Sequence, residues 1–315
     1  MPAKVQYTLT TEDEDLYMRE ILRRRMGFSG RLVKKIKYDG QLLLGGKPVQ
    51  MRDKGRCGQV LTAVYPEESS YFEPEDIPLD VVYEDDQLLI VNKQPGIVVH
   101  PTKNYQTGTL ANALAKYIED HHQSWKIRFV NRIDRDTSGL VIVAKDPHAQ
   151  DVLSEQMKKD RIVKRYIAIV HGIVEGDGTV DLPILKDPDH VARRKVDPVG
   201  YPSVTHYKVL ETFPAEPGTT GRLDGYSLLE LKLDTGRTHQ IRVHMTHIGH
   251  PLLGDELYAQ LYGYSELPER MPRQALHSVS LEFPHPSGQG MVNVRAELPE
   301  DMKAAIEYLR SGGII

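Results

Sequence analysis

The chain predicts a mixed α+β protein with a small, separate N-terminal α/β module, and three observations carry that expectation. Apolar residues change between helical and alternating spacing in an irregular order, unlike the regular strand–helix alternation of a doubly wound sheet. Prolines and acidic residues crowd positions 66–78, the composition of an extended, solvated connector. The 315 residues also exceed one domain at roughly 100–200 residues per domain. The expected division is a module over 1–66, a linker over 67–78 and a large domain over 79–315.

The module comes first. Leu16, Met18, Ile21 and Leu22 recur at near-helical spacing, followed by Arg23, Arg24 and Arg25. Gly27 breaks that pattern and Ser29 stands where an N-cap belongs. Leu32, Val33 and Ile36 form a second stripe between Lys34, Lys35 and Lys37. Asp39-Gly40 reads as a turn, Leu42 to Leu44 as a strand, Gly45-Gly46 as a hairpin signal and Lys47 to Met51 as the return. Val60, Leu61, Ala63 and Val64 make another strand.

In the large domain, Val81-Val82-Tyr83 and Leu88 to Val91 read as strands joined by the acidic turn Glu84-Asp85-Asp86. Leu110, Ala113, Leu114 and Tyr117 follow helical spacing, as do Ala149, Val152, Leu153 and Met157. Further strands are expected at Leu140–Ala144, Tyr166–Val170, Val204–Leu210, Leu228–Leu233, Leu281–Phe283 and Val292–Leu298. Pro299 opens a last helix that runs through Arg310.

Composition sets outer limits. With 40% apolar and 27% charged residues, the chain can bury a core. Cys57 is the only cysteine, which excludes an intrachain disulfide and a four-cysteine zinc site and fits a reducing cytosol. The N-terminus lacks the apolar run of a signal peptide, and no stretch approaches the ~20 apolar residues that span a bilayer. The expected setting is cytoplasmic, and the expected state a monomer.

The formal net charge of −4 argues against a nucleic-acid partner. Its distribution argues the opposite. Between Arg19 and Arg56 there are twelve basic and three acidic residues, so this segment is +9 and the remainder −13. A charge run is usually a solvated helix face, but a one-sided excess also attracts phosphates through counterion release. The turn Phe28-Ser29-Gly30-Arg31 and the hairpin Gly45-Gly46-Lys47-Pro48-Val49 resemble the alpha-L RNA-binding module. That resemblance implies Arg31, Lys34 and Lys35 as RNA contacts.

Three segments could carry chemistry. In Arg132-Ile133-Asp134-Arg135-Asp136-Thr137-Ser138-Gly139-Leu140, turn residues precede a strand that looks buried. Asp134 is then either an ordinary loop carboxylate with a local salt bridge or a charge held at the mouth of a core element, which is costly unless paired. In Thr235-Gly236-Arg237-Thr238-His239-Gln240-Ile241-Arg242-Val243-His244, Gly236 allows a sharp turn after a strand. His239, His244, His247 and His250 invite a zinc site, but no Glu lies between His244 and His247 as in H-E-x-x-H, and no metal is expected. In Lys164-Arg165-Tyr166-Ile167-Ala168, Tyr166 reads as a core tyrosine on a strand.

Taken together and in this order, the segments resemble the RluA-type pseudouridine synthases. The first is similar to their H-R-L-D-x-x-T-S-G-L signature, the second to T-G-R-x-H-Q-I-R-x-H, and the third to K-x-Y-x-A. Asn92-Lys93-Gln94-Pro95-Gly96, Gly249 to Asp255, and Ala275-Leu276-His277 through His285-Pro286 match further family segments, so the resemblance covers 79–298. One departure is Asn131, where the family usually has His.

The resemblance implies a mainly antiparallel mixed sheet and an enzyme that isomerises uridine to pseudouridine in structured RNA, ribosomal more than transfer RNA, without cofactor or metal. It implies Asp134 as the essential carboxylate, either nucleophile at C1′ or base at C2′. By the same analogy Arg237 pairs with Asp134, Tyr166 stacks on the base and Arg132 fills the space the flipped base leaves. Leu276 would wall the pocket, and Arg242 would contact substrate. Two other classes remain: a non-catalytic RNA-binding or ribosome-assembly protein on the same fold, and a metal hydrolase built on the late histidines.

Overall fold

A computed structural model describes residues 4–66, 70–215, 225–263 and 268–315. The N-terminal module contains β1 (Lys4–Thr8), α1 (Met18–Arg24), α2 (Gly30–Asp39), β2 (Gln41–Leu44), β3 (Lys47–Pro48) and β4 (Val60–Val64). Ser29 does cap α2: its hydroxyl accepts from Leu32 N at 3.1 Å. Met18, Ile21 and Leu22 of α1 meet Leu32 and Ile36 of α2 over Leu42 and Leu61 of the sheet, and this apolar cluster ends at Tyr65. The sheet order is β1-β4-β2-β3. Sequence patterning gave no sign of β1, whose five residues are half-buried at best. Pairing with β4 makes it a strand.

The module rests on the large domain through His148. Its Nε2 lies 2.7 Å from the Met26 carbonyl, and its ring packs on Phe28 at a centroid distance of 4.8 Å.

The connector is not a free solvated segment, contrary to the expectation from its composition. Ser70 Oγ accepts from Ile127 N at 2.7 Å, the Glu73 carbonyl accepts from Asn112 Nδ2 at 2.9 Å, and the Glu75 carboxylate accepts from Gly108 N at 3.0 Å. Phe72 packs against the main core. Polar groups that would otherwise be solvated find donors near a helix start, and one aromatic supplies apolar contact. Residues 67–69 of the expected linker lie outside the described residues.

The large domain is built on one sheet. Its central path is β10 (Gly178–Asp181), β13 (Val204–Pro214), β14 (Gly225–Leu233), β9 (Val163–His171), β15 (Leu276–Pro284), β8 (Ser138–Ala144), β6 (Leu88–Lys93) and β5 (Asp80–Glu84). β16 (Met291–Arg295) joins β15, and β7 (Arg128–Phe129) joins β8. β11 (Ile184–Lys186) and β12 (Arg194–Val196) form a separate hairpin. The mainly antiparallel α+β class is as the sequence predicts. The exception is β15 beside β8, which run parallel.

Both sheet faces are covered. One side chain set, Leu89, Val91, Val141, Val143 and Ala168, faces α3 (Leu110–Asp120) and α5 (Gln240–His247). The alternate set, Leu88, Ile90, Leu140 and Ile142, faces α4 (Pro147–Lys158). Ile167 and Ile169 meet α7 (Glu300–Arg310). Burial on both faces explains why these strands read as continuous apolar runs. Gly139 lets β8 and β15 approach: at φ +109° a Cβ there would lie 2.3 Å from the Ser278 carbonyl oxygen.

Candidate active site

Asp134 lies in the turn between β7 and β8, with its carbonyl accepting from Thr137 N at 3.2 Å. The loop is braced on both sides. Asn131 Oδ1 accepts from Ile142 N at 2.7 Å, and its Nδ2 donates to the Leu140 carbonyl at 3.3 Å. The residue that departs from the family pattern is thus buried and spent on the backbone of β8. Lys93, fully buried, donates from Nζ to the carbonyls of Gln94, Ile97 and Arg135 at 2.8, 2.9 and 2.9 Å. Burial pushes Lys93 down to about 7, while those carbonyls use all three ammonium protons. Arg273 Nη1 donates to the Asp136 carbonyl at 2.9 Å, and its Nε and Nη2 grip Asp301 of α7 at 2.7 and 2.9 Å. The backbone just beyond Asp134 is therefore tied to β6 and to the C-terminal helix.

The cation beside Asp134 is Arg242, not Arg237. Arg242 Nη1 donates to Asp134 Oδ2 at 3.1 Å. Its other edge makes a two-point contact with Asp255, Nε to Oδ2 at 2.7 Å and Nη2 to Oδ1 at 2.8 Å. Asp255, itself fully buried, also caps the short helix α6 (Glu256–Ala259) by accepting from Leu257 N and Tyr258 N. A planar guanidinium suits this geometry because it holds two carboxylates at fixed angles. The paired carboxylates raise the pKa of Arg242 despite its burial. Arg242 therefore directs its donors at protein carboxylates, where substrate contact was expected. Arg237 is exposed, donates from Nε to the Pro202 carbonyl at 3.4 Å and lies over the Tyr201 ring at 5.5 Å.

An inner pocket brings together Arg132, Asp134, Tyr166, Arg237, Arg242 and Leu276. It opens beside an outer cleft of about 820 Å³ that shares Arg132, Asp134, His239 and Arg242. The six large-domain residues singled out by sequence thus converge on one place. Tyr166 on β9 pairs with Ser278 on β15. Burial pushes its phenol up to about 12, and the Asp134 charge adds to that shift. Tyr166 therefore remains a phenol at neutral pH.

The turn expected at Gly236 is taken instead at His239, which adopts a left-handed φ of 58° directly before α5. Such a conformation costs roughly 1 kcal/mol in a non-glycine residue and persists only where its surroundings impose it. Gln240 ties down the chain just before His239. Its Oε1 accepts from Thr235 Oγ1 and Arg237 N at 2.8 and 3.0 Å, and its Nε2 donates to the Val204 carbonyl at 2.9 Å.

The late histidines do not converge. His239 Nδ1 meets the Tyr258 hydroxyl at 3.0 Å. His244 meets Thr205 and the Leu182 carbonyl, His250 meets the His171 carbonyl, and His247 is exposed. Arg31, Lys34 and Lys35 lie on α2 and line neither cavity around Asp134. Part of the module's charge is neutralised locally: Arg25 pairs with Glu12 and Asp13, and Lys54 with Asp15. Over residues 1–66 there are thirteen basic and seven acidic residues, an excess of +6.

Asp255, Tyr258, Lys93 and Arg273 were not identified as site residues from the sequence. Asp255 could have been marked as an N-cap three residues before Tyr258. Lys93 lies in a segment that matches the family, but nothing local marks its role, and Tyr258 and Arg273 carry no local signal.

A profile of the family described as RNA pseudouridylate synthase matches residues 87–247, the span that holds β6, β8, Asp134, Tyr166 and the Arg242 segment. The chain belongs to this family. It is an RNA pseudouridine synthase, an isomerase. The chain is 36% identical over 324 aligned positions to ribosomal large subunit pseudouridine synthase D of Escherichia coli (strain K12), covering 99% of this chain and 96% of that one. It is 39% identical over 290 positions to the uncharacterized RNA pseudouridine synthase YjbO of Bacillus subtilis (strain 168), covering 90% of this chain and 95% of the relative. Among solved structures, human RNA pseudouridylate synthase domain containing 1 superposes with a TM-score of 0.57 at 25% identity, over 78% of this synthase and 100% of that chain. Among the described residues, no helix is long and apolar enough to cross a membrane.

Proposed function

We propose that this synthase isomerises uridines in structured ribosomal RNA, with Asp134 as the essential carboxylate. One observation carries the proposal: Asp134 is held by Arg242 at the floor of a pocket walled by Tyr166 and Leu276. The relative named for the large ribosomal subunit, which aligns with 99% of this chain, supports the ribosomal target. The basic module supports RNA held at its phosphates.

The reaction balances within one substrate. The N1–C1′ bond breaks, the base turns, C5 bonds to C1′, the C5 proton leaves and N1 gains a proton. No oxidant, reductant or co-substrate enters that balance, so the reading needs no cofactor. The target uridine leaves its stack to reach Asp134. Exposed Arg132, at the shared rim of pocket and cleft, is placed to occupy the vacated position. Arg237, free of the carboxylate and stacked on exposed Tyr201, takes the role of a phosphate contact.

Tritium release from ribosomal RNA carrying [5-³H]uridine, prepared from cells lacking the synthase, tests the proposal. The wild type should release tritium, and Asp134→Asn should bind the RNA and release none. Turnover by Asp134→Asn would overturn the assignment.

A further inference from the structure

We propose that His239 is a further catalytic residue, a neutral donor whose Nε2–H bonds the C2 carbonyl oxygen of the target uracil as the base leaves C1′. The proposal rests on the assignment of Asp134 above.

The hydrogen-bond network selects the tautomer. The Tyr258 hydroxyl accepts from Arg194 N at 2.8 Å and lies 3.0 Å from His239 Nδ1. Its single proton is then donated to Nδ1, which places the imidazole proton on Nε2. Tyr258 is itself fixed, since Asp255 caps its backbone N–H and the Arg242 guanidinium lies over its ring at 5.1 Å. Nε2 points toward Asp134 Oδ2 at 3.9 Å, too far for a hydrogen bond. The gap lies where the inner pocket and outer cleft meet, because His239 lines both. Nε2 is therefore not spent on Asp134, and a ligand oxygen entering from the pocket can meet it from the side.

The chemistry calls for such a donor. When the N1–C1′ bond breaks, its electrons stay with the base, and charge spreads from N1 to the neighbouring C2 oxygen. A hydrogen bond to that oxygen strengthens as the bond breaks, so it lowers the barrier more than it tightens binding. A cationic imidazole would instead pair with Asp134. Burial prevents this by pushing His239 down to about 4. The left-handed backbone at His239 fits a residue whose position is imposed by its site.

The test compares His239→Ala, His239→Gln and Tyr258→Phe in single-turnover tritium release, with RNA affinity and thermal unfolding measured in parallel. His239→Ala should slow release about 10²–10³-fold, the effect of deleting one donor to a developing anion, with RNA affinity unchanged. His239→Gln, which keeps an N–H donor, should recover part of the rate, and added imidazole should partly rescue the alanine variant. Tyr258→Phe, which frees the tautomer, should fall between wild type and His239→Ala. A His239→Ala rate within about threefold of wild type, or a loss confined to RNA affinity, overturns the proposal. Should His239→Ala fail to fold, a His239→Gln rate as low as that of Asp134→Asn overturns it. Absence of tritium release by the wild type would instead remove the proposed reaction on ribosomal RNA, and turnover by Asp134→Asn would remove the Asp134 assignment; either takes this proposal with it.

Discussion

Replacing Asp255 with alanine tests whether the site is organised around Arg242. The substitution removes both carboxylate oxygens from one edge of a buried guanidinium, at 2.7 and 2.8 Å. Breaking a buried pair from one side costs about 3–5 kcal/mol. Asp134 remains at 3.1 Å on the other edge, so the lower end, about 3 kcal/mol, applies. Losing the cap on α6 adds about 1 kcal/mol. At about 2–4 °C per kcal/mol for a domain of this size, the melting temperature should drop by roughly 10 °C. The freed guanidinium can then rotate to grip Asp134 with both nitrogens. Tritium release measured well below the melt should therefore fall about 100-fold while RNA affinity holds, the pattern of a lost transition-state interaction. Asp255→Asn, which keeps the shape and one acceptor, should show smaller changes in both. A melting temperature within about 2 °C of wild type, together with an unchanged rate, would refute the claim that Asp255 holds Arg242 in place.

Three further outcomes are expected. His171, His239 and His277 are each pushed by burial down to about 4. The unfolded chain therefore binds more protons between about 4 and 6.5, and stability present above 6.5 is lost as pH falls through 4, by up to roughly 2–3 kcal/mol per histidine. Urea melts from pH 7 to pH 4 should show the decline, and a flat profile would contradict it. Gly139→Ala places a Cβ 2.3 Å from the Ser278 carbonyl at a positive φ, so it should destabilise by about 3 kcal/mol or more in chemical denaturation. Arg31→Ala combined with Lys34→Ala should flatten the slope of log affinity against log salt by roughly 1.5, with catalysis at saturating RNA unchanged. An unaltered slope would remove those side chains from the RNA contact.

Local features were legible in the sequence because their partners lie close along the chain. The Ser29 cap, the Gly45-Gly46 hairpin and the Asp85 turn, whose carboxylate accepts from Gln87 N and Leu88 N at 2.8 Å each, involve groups at most three residues apart. Asp134 just before β8, Tyr166 within β9 and Leu276 at the start of β15 share one pocket because β9, β15 and β8 are neighbours in the sheet, with Ser278 opposite Tyr166 and His277 beside Ser138. Helical spacing and turn signals anticipated α1, α2 and the hairpin but not β1, which needs β4, more than fifty positions later. The connector was misjudged for a related reason. Composition describes solubility, whereas Ser70, Glu73 and Glu75 meet donors on a helix and a loop that sequence spacing cannot place beside them.

By itself, the sequence determined the fold class and the family, and it singled out Asp134 as the carboxylate we propose. It did so through short motifs whose geometry is set by turns, caps and strand alternation. Only the tertiary structure decided which cation serves that carboxylate. Arg237 and Arg242 are five positions apart in one motif, so spacing alone cannot choose between them. The left-handed turn at His239 and the start of α5 aim Arg242 inward at Asp134, 108 residues away, and leave Arg237 on the exposed side of the pocket, off the carboxylate. Asp255, on a third segment, completes the clamp. Charge pairing in a buried site depends on which groups desolvate together, and that is fixed only when distant segments pack.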